Sequence, residues 1–479
     1  MTGLADTGPT PRITAASGRH RAIVESPPRP GPASPRPRRR AVLIGAAVAA
    51  AVLVPVTAAA VWVNTERPPD TARAGAGHWV STKGQDDNPG TADRPWRTVA
   101  HAVDAAPAGS AIFLRDGEYE PFTVDRPDLR ITSAPGERAT VTGRAGVRDV
   151  VLITADNVTV TDLTVAGCVP NPTPDVNVTG DHGSGIRIHR TRGVAVRGVT
   201  VRDSHGTNAA GLPVGCYGIL ATESRDLTVA SSEVFHNGGG IAVTRGGRGV
   251  VVEGNNVHDQ NVILHNTKDR LDDFGGYGLA ATFITDKPGP VFRGNTVLRN
   301  VGPSTDYRVD GGGMEIYDAA NTTITGNTFA GNDGVMETGT GRNGKCADIV
   351  FAGNTVTGRS AGGGTGSTGL VLRCASNMVV RDNTFTEVER FTFLCASDGP
   401  FAGSIDGLQI VGNTVLKRTD AVVYRMQFGS ADIPPISVDR NRYRASGERF
   451  AVIDEGSERT VSFDDWRSES GYDDGSELF

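Results

Sequence analysis

A Gly-Asn pair, replaced by Asp-Asn at Asn383, recurs along this chain. Aligned on the Asn, its copies fall at Asn255, Asn295, Asn327, Asn354, Asn383 and Asn413. Three residues before each Asn lie Val252, Phe292, Ile324, Phe351, Val380 and Ile410. Two residues after it lie Val257, Val297, Phe329, Val356, Phe385 and Val415, so every flanking position is apolar. Self-similarity at a period of about 20 to 50 residues marks a solenoid whose units bury one another's apolar faces. Short β-branched runs broken by Gly and Asn read as strands joined by turns. The pattern continues upstream without its Asn through Asn157 to Val165, Gly193 to Val201 and Asp226 to Val234. A second strand, with Gly followed by alternating apolar residues, starts at Gly185, Gly218, Gly240, Gly278, Gly313, Gly334 and Gly369. Its shortest spacing, about 21 residues, is one turn of a parallel β-helix, and the longer spacings carry loops. The fold expected is all-β: a single-stranded solenoid of about ten or more coils.

The 62 Gly and 6% aromatic residues suit many tight turns around a narrow aliphatic core. A net charge of −6 gives no electrostatic case for nucleic acid. Residues 1–40, rich in Pro, Arg, Ser and Ala, read as a disordered cytoplasmic tail. After Arg38 to Arg40 comes an uncharged apolar run, residues 41–63. At about 1.5 Å per residue it can cross a bilayer of about 30 Å, and the basic cluster places the C-terminal side outside. It is expected to be a retained single-pass signal anchor in the cell membrane. The alternative is an export signal cut near Ala58 to Ala60, which gives a secreted domain. Arg39 and Arg40 also loosely match a twin-arginine signal. Residues 64–77 are a polar linker, 78–445 the β-helix, and 446–479 a C-terminal cap, with a monomer expected.

Five cysteines then sit where disulfides form. Cys168 and Cys216 lie in loops of consecutive coils and make one expected pair. Cys346, Cys374 and Cys395 share a phase on successive coils, where strands are about 4.8 Å apart, so neighbours in that column can bond or remain buried thiols.

Residues His78 to Tyr119 give a strand, a polar turn, a helical spacing of Val99, Ala102 and Val103, and a returning strand. A helix there covers the open first coil. This stretch closely resembles the start of the pectate-lyase-like superfamily of right-handed parallel β-helix proteins. Ser462 to Ser476 resembles the ending of many exported members. The resemblance implies a right-handed coil and an activity on polysaccharides: lyase, glycoside hydrolase or epimerase, with catalytically silent relatives also known. The segment Val309 to Tyr317 resembles the calcium segment of polysaccharide lyase family nine, with Gly311 where that family has its second Asp and Glu315 standing for its last.

Alternation along the second strand sends outward Arg187 with His189, Leu220 with Thr222, Ala242 with Thr244, and Ala280 with Thr282. The following coils present Glu315 with Tyr317, Met336 with Thr338, and Val371 with Arg373. Glu315 and Tyr317 stand out on an otherwise plain surface. Aligned as written, Glu337 falls inward at a cost no partner offsets, which signals a slip of register in that copy.

Loops 258–277 and 303–317 bring Asp272 and Asp273 towards Asp310 and Glu315. Two uses follow. Carboxylates about 5 to 9.5 Å apart act as acid and base or nucleophile in glycoside hydrolysis. Oxygen ligands from Asp272, Asp273 and Asp310 would instead hold Ca²⁺ for β-elimination from a uronate, with Lys268 as base. Glu315, Asp310, Asp273 and Lys268 are therefore the candidate catalytic residues, and Tyr317, Arg373, Tyr277 and His265 the candidate substrate contacts.

Bland readings stand beside these. The Asn column is structural, since Asn tolerates left-handed turns and stacks into ladders. His236 reads as a turn residue; Arg187, His189 and Arg373 read as solvated. The run from Lys268 to Asp273 reads equally as an exposed loop. The function expected is cleavage of an extracellular polysaccharide. The rival is a non-catalytic module that binds glycans or builds the cell surface.

Overall fold

The computed structural model describes residues 77–268, 272–341, 344–358, 368–397, 399, 401–417, 422–428 and 434–479. The expected tail and membrane run, and the linker up to residue 76, lie outside the described residues. Among the described residues, no helix is long and apolar enough to cross a membrane.

Three long sheets run side by side, of 13, 13 and 14 strands in their main paths. The first begins with His78–Val80, the second with Phe122–Val124 and the third with Gly117–Tyr119. Each coil gives one strand to each sheet and pairs in parallel with the coils before and after. In one coil these are Val291–Arg293, Thr296–Leu298 and Gly312–Tyr317. This is the expected parallel β-helix. Strands of three residues suffice because each places one apolar side chain inward, as Phe292 and Val297 do. Successive coils then stack apolar on apolar, and inside the coil Phe351 of the first sheet packs between Phe329 and Phe385 of the third at ring separations of 5.9 and 6.5 Å.

The Gly-Asn column forms the corner between the first and third sheets. Asn255, Asn295, Asn327, Asn354, Asn383 and Asn413 are buried, and each passes its side-chain oxygen to the backbone N–H and side-chain amide of the Asn one coil earlier from Asn295 on. Asn441 continues the ladder below Asn413.

Both ends are closed. The helix α1, Val99–Ala105, buries Val99, Ala102 and Val103 over the first coils, with Thr98 as its cap. At the other end α2, Phe463–Ser470, starts at a Ser462 cap and buries Phe463 and Trp466. The Trp466 indole donates to Asp473 at 2.8 Å, tying the terminal segment to the last coil. The stretch after residue 446 also adds strands to the second and third sheets.

Cys168 bonds Cys216 and Cys346 bonds Cys374, with Cα separations of 6.2 and 5.2 Å. Cys395 is left as a buried thiol.

Candidate functional site

The outward column of the second sheet carries the chemistry. Ladder partners in order are Leu152, Arg187, Leu220, Ala242, Ala280, Glu315, Glu337 and Val371. Glu337 is therefore outward and directly beside Glu315. The expected outward pair Met336 and Thr338 is inward instead, because Met336 pairs with Met314 and Leu370. Gly334 sits one position earlier in register than Gly313 and Gly369, so both Val335 and Met336 are buried. The cost of an inward Glu was the signal of this slip; the sequence did not show that correcting it sets two glutamates on adjacent strands.

Glycine-rich joints bring two loops onto this column. A Cβ on Gly276 would lie 2.6 Å from the Asp310 carbonyl, and one on Gly311 would lie 2.7 Å from the Gly276 backbone. Their φ angles of +74° and +139° favour glycine in addition. The loops pack backbone to backbone, and the Gly275 amide donates to the Asp310 carboxyl.

Glu315 and Asp310 are close enough for the charge of one to act on the other. Burial pushes the Glu315 carboxyl up to about 7. Burial first, and then the charges of Glu315 and Asp273, push Asp310 well above the usual carboxylate range. Glu337 has a different setting: Arg373 forms an ion pair with it, and the Tyr277 hydroxyl reaches across Gly312 to donate to it at 3.2 Å. One glutamate is thus desolvated while its neighbour is held by a cation and a hydroxyl, the arrangement that separates an acid from a base.

Beside Glu315 opens a narrow slot. Leu220, Ala242 and Ala280 form its floor, and Tyr217, Tyr277, Leu264 and Phe274 its walls. Its free volume of about 40 Å³ admits water but no sugar ring. A substrate must therefore lie over the face.

The remaining predicted residues fall into two groups. Tyr317 is on the Glu315 strand, at the next outward position. His265 stacks on Phe274 at 5.3 Å and meets His182 edge-on at 6.1 Å, which places it in the wall of the loop. Lys268 is exposed. Arg187, expected to be solvated, is buried: the segment after Cys168 folds over it, Thr179 and Gly180 accept its hydrogen bonds, and Asp149 lies 3.9 Å away. Arg373, also read as solvated, is bound to Glu337.

The acids expected to hold calcium divide. Asp272 and Asp273 cluster with Asp306, their oxygens within 4.8 Å of one another, while Asp310 goes with Glu315. Asp273 is committed to holding the loops. Its Oδ1 accepts from the Thr267 amide, and its Oδ2 from the Ser304 hydroxyl and the Asp306 amide, which takes three of its four lone-pair directions. The Thr267 hydroxyl donates to Asp272, and the Asp272 amide to Asp306. This knot closes the two loops and thereby positions Asp310.

Comparison with known proteins agrees with the coil. The chain is 27% identical to the uncharacterized protein YwoF of Bacillus subtilis (strain 168) over 139 residues, which is 29% of this chain and 25% of that one. It is 51% identical to pectate lyase PEL9 of Emericella nidulans over 43 residues, 9% of this chain and 10% of that one. The chain thus matches a quarter or less of the length of these relatives. Among solved structures it resembles the A-module of the Azotobacter vinelandii mannuronan C-5 epimerase AlgE4, at 16% identity and a TM-score of 0.47, covering 80% of this chain and 94% of that one. The family model for the right handed beta helix region matches residues 149–463. The chain accordingly belongs to the family of the right handed beta helix region.

Proposed function

We propose that this protein is an exported, carbohydrate-active enzyme that hydrolyses a polysaccharide lying across the second sheet. The observation that carries this is the pair Glu315 and Glu337, outward ladder partners with opposite surroundings. Adjacent strands set their backbones about 4.8 Å apart, comparable with the short carboxyl spacing of about 5 to 5.5 Å in retaining glycosidases.

Glu315, kept protonated by burial, gives its proton to the glycosidic oxygen. Glu337, oriented by Arg373 and Tyr277, attacks the anomeric carbon and the leaving sugar departs. Glu315, now ionised, takes a proton from water as that water attacks the same carbon and releases Glu337. The charge of Glu315, once ionised, holds Asp310 neutral beside it, and Asp273 fixes the loop that carries Asp310.

Elimination fits less well. The expected base Lys268 is exposed, and Arg373, the cation that could neutralise a uronate beside the acid pair, is paired with Glu337. The pectate lyase relative supports a glycan partner, and the two disulfides support an oxidising compartment outside the cytoplasm. The apolar run at 41–63 supports anchorage to the membrane.

The test is incubation of the purified domain with a polysaccharide panel, with and without chelator. New reducing ends without unsaturated products, indifferent to chelator, are expected. Unsaturated products would assign a lyase, and binding without cleavage would assign the non-catalytic module.

A further inference from the structure

The turns that follow five successive strands of the second sheet each have a left-handed residue, at Arg190, Glu223, Arg245, Phe283 and Asp318, with φ between 49° and 56°. Four of these five are charged. Phe283 is the exception, a bulky side chain in a conformation that disfavours it, and 40% of it is exposed. Packing gives no reason for it. Phe401 repeats the anomaly, with φ 63° and partial exposure.

These residues line up. The Arg245 guanidinium lies 5.1 Å from the Phe283 ring centre. Phe283 meets Tyr317 at 5.8 Å, and Tyr317 meets Phe401 at 6.2 Å. In the coil after Tyr317 the ladder partner is Gly339, and Phe401 occupies the space there, its Cβ 3.4 Å from where a Gly339 Cβ would stand. Four successive levels of a strip parallel to the solenoid axis are therefore filled, three by their own coils and the fourth by Phe401, which reaches back beside Gly339 from the loop after the strand Phe393–Ala396. Tyr317 is two residues beyond Glu315 on one strand, so the strip runs about 6.6 Å to the side of the acid column.

We propose that Arg245, Phe283, Tyr317 and Phe401 form a stacking platform for an uncharged glycan, whose rings lie on it along the axis and present successive glycosidic bonds to Glu315 and Glu337. Pyranose rings have an apolar C–H face that packs on aromatic side chains, and one aromatic member per level recurs at close to the spacing of rings in an extended chain. Arg373, the cation beside the acid column, is spent on Glu337, which leaves that column no charge to pair with a uronate or a sulfate. The inference rests on the hydrolase reading for the position of the bond to be cut, but the platform binds whether or not cleavage follows.

The experiment titrates neutral oligosaccharides of glucose, mannose, xylose and N-acetylglucosamine, from dimer to octamer, into wild type, Phe283→Asn, Phe283→Trp, Tyr317→Ala and Glu315→Gln, with oligogalacturonate as the acidic counterpart. Phe283→Asn relieves the strained turn, so its melting temperature should equal or exceed that of wild type. It should nonetheless bind the preferred longer chains about fivefold to tenfold more weakly, as should Tyr317→Ala. Phe283→Trp should retain affinity, and Glu315→Gln should bind while failing to cleave. Unchanged affinity in both Phe283→Asn and Tyr317→Ala overturns the platform, as does a preference for oligogalacturonate or no binding of any neutral chain. Weakened binding in those variants of a wild type that cleaves nothing keeps the platform and sinks the hydrolase reading.

Discussion

Asn327, at the corner between the first and third sheets, accepts two hydrogen bonds from Asn295 and donates to Asn354 and to the Phe292 carbonyl, all at 2.9 to 3.0 Å. On the second sheet of the same coil stack, Glu315 is desolvated and lies beside Asp310. Both side chains are polar, Asn327 buried and Glu315 half-buried. One is fully partnered and repeats from coil to coil; the other occurs once and is held against its electrostatic preference. The first kind of burial builds the solenoid, and the second stores a reactive group at a single place on it.

Neutral substitutions should therefore act in opposite directions on the two strips. Glu315→Gln should lower kcat about 10³-fold, measured by release of reducing ends, while leaving the fold at least as stable at neutral pH. Asn327→Leu strips acceptors and donors from a buried ladder and should cost about 3 kcal/mol by chemical denaturation. If the two changes shift stability with the same sign, the distinction between the strips is lost. Replacing Cys168 and Cys216 by Ala opens a 48-residue separation and frees the segment over Arg187. It should cost about 2 to 3 kcal/mol and leave the Asn ladder intact.

The smallest effect is in the pH dependence. The Glu315 carboxyl is raised in the folded state from 4.5 to about 7, so the folded chain binds the proton more tightly than the unfolded one. Its stabilising contribution is complete below pH 4.5 and is lost as pH rises through 7. With a discount for partial exposure it is on the order of 2 kcal/mol. Denaturation of Glu315→Gln should be flatter than wild type across that window, and an equal slope would place Glu315 in ordinary solvent.

The Asn ladder was legible because one residue type recurs at one place in every coil with apolar neighbours at fixed offsets. Glu315 was legible as an acid on a bare face. Glu337 was not, since a shift of one residue at Gly334 reverses which side chains face out, and periodicity alone does not locate such a shift. The division of Asp306 from Asp310 was hidden for another reason. It depends on how two irregular loops close on each other through the donors that Asp273 accepts from both. The burial of Arg187 was likewise invisible, because the covering segment is distant from it in no regular pattern.

Each rung of the asparagine column makes the same bonds to the rung above as to the rung below. Removing the 28 residues from one rung to the next, as between Asn413 and Asn441, would rejoin equivalent partners. A lineage of such chains can therefore lengthen or shorten by whole turns without a new interface having to arise. The aromatic and acidic residues have no such licence: a turn inserted between Glu315 and Glu337 would part them, so growth is confined to either side of that junction.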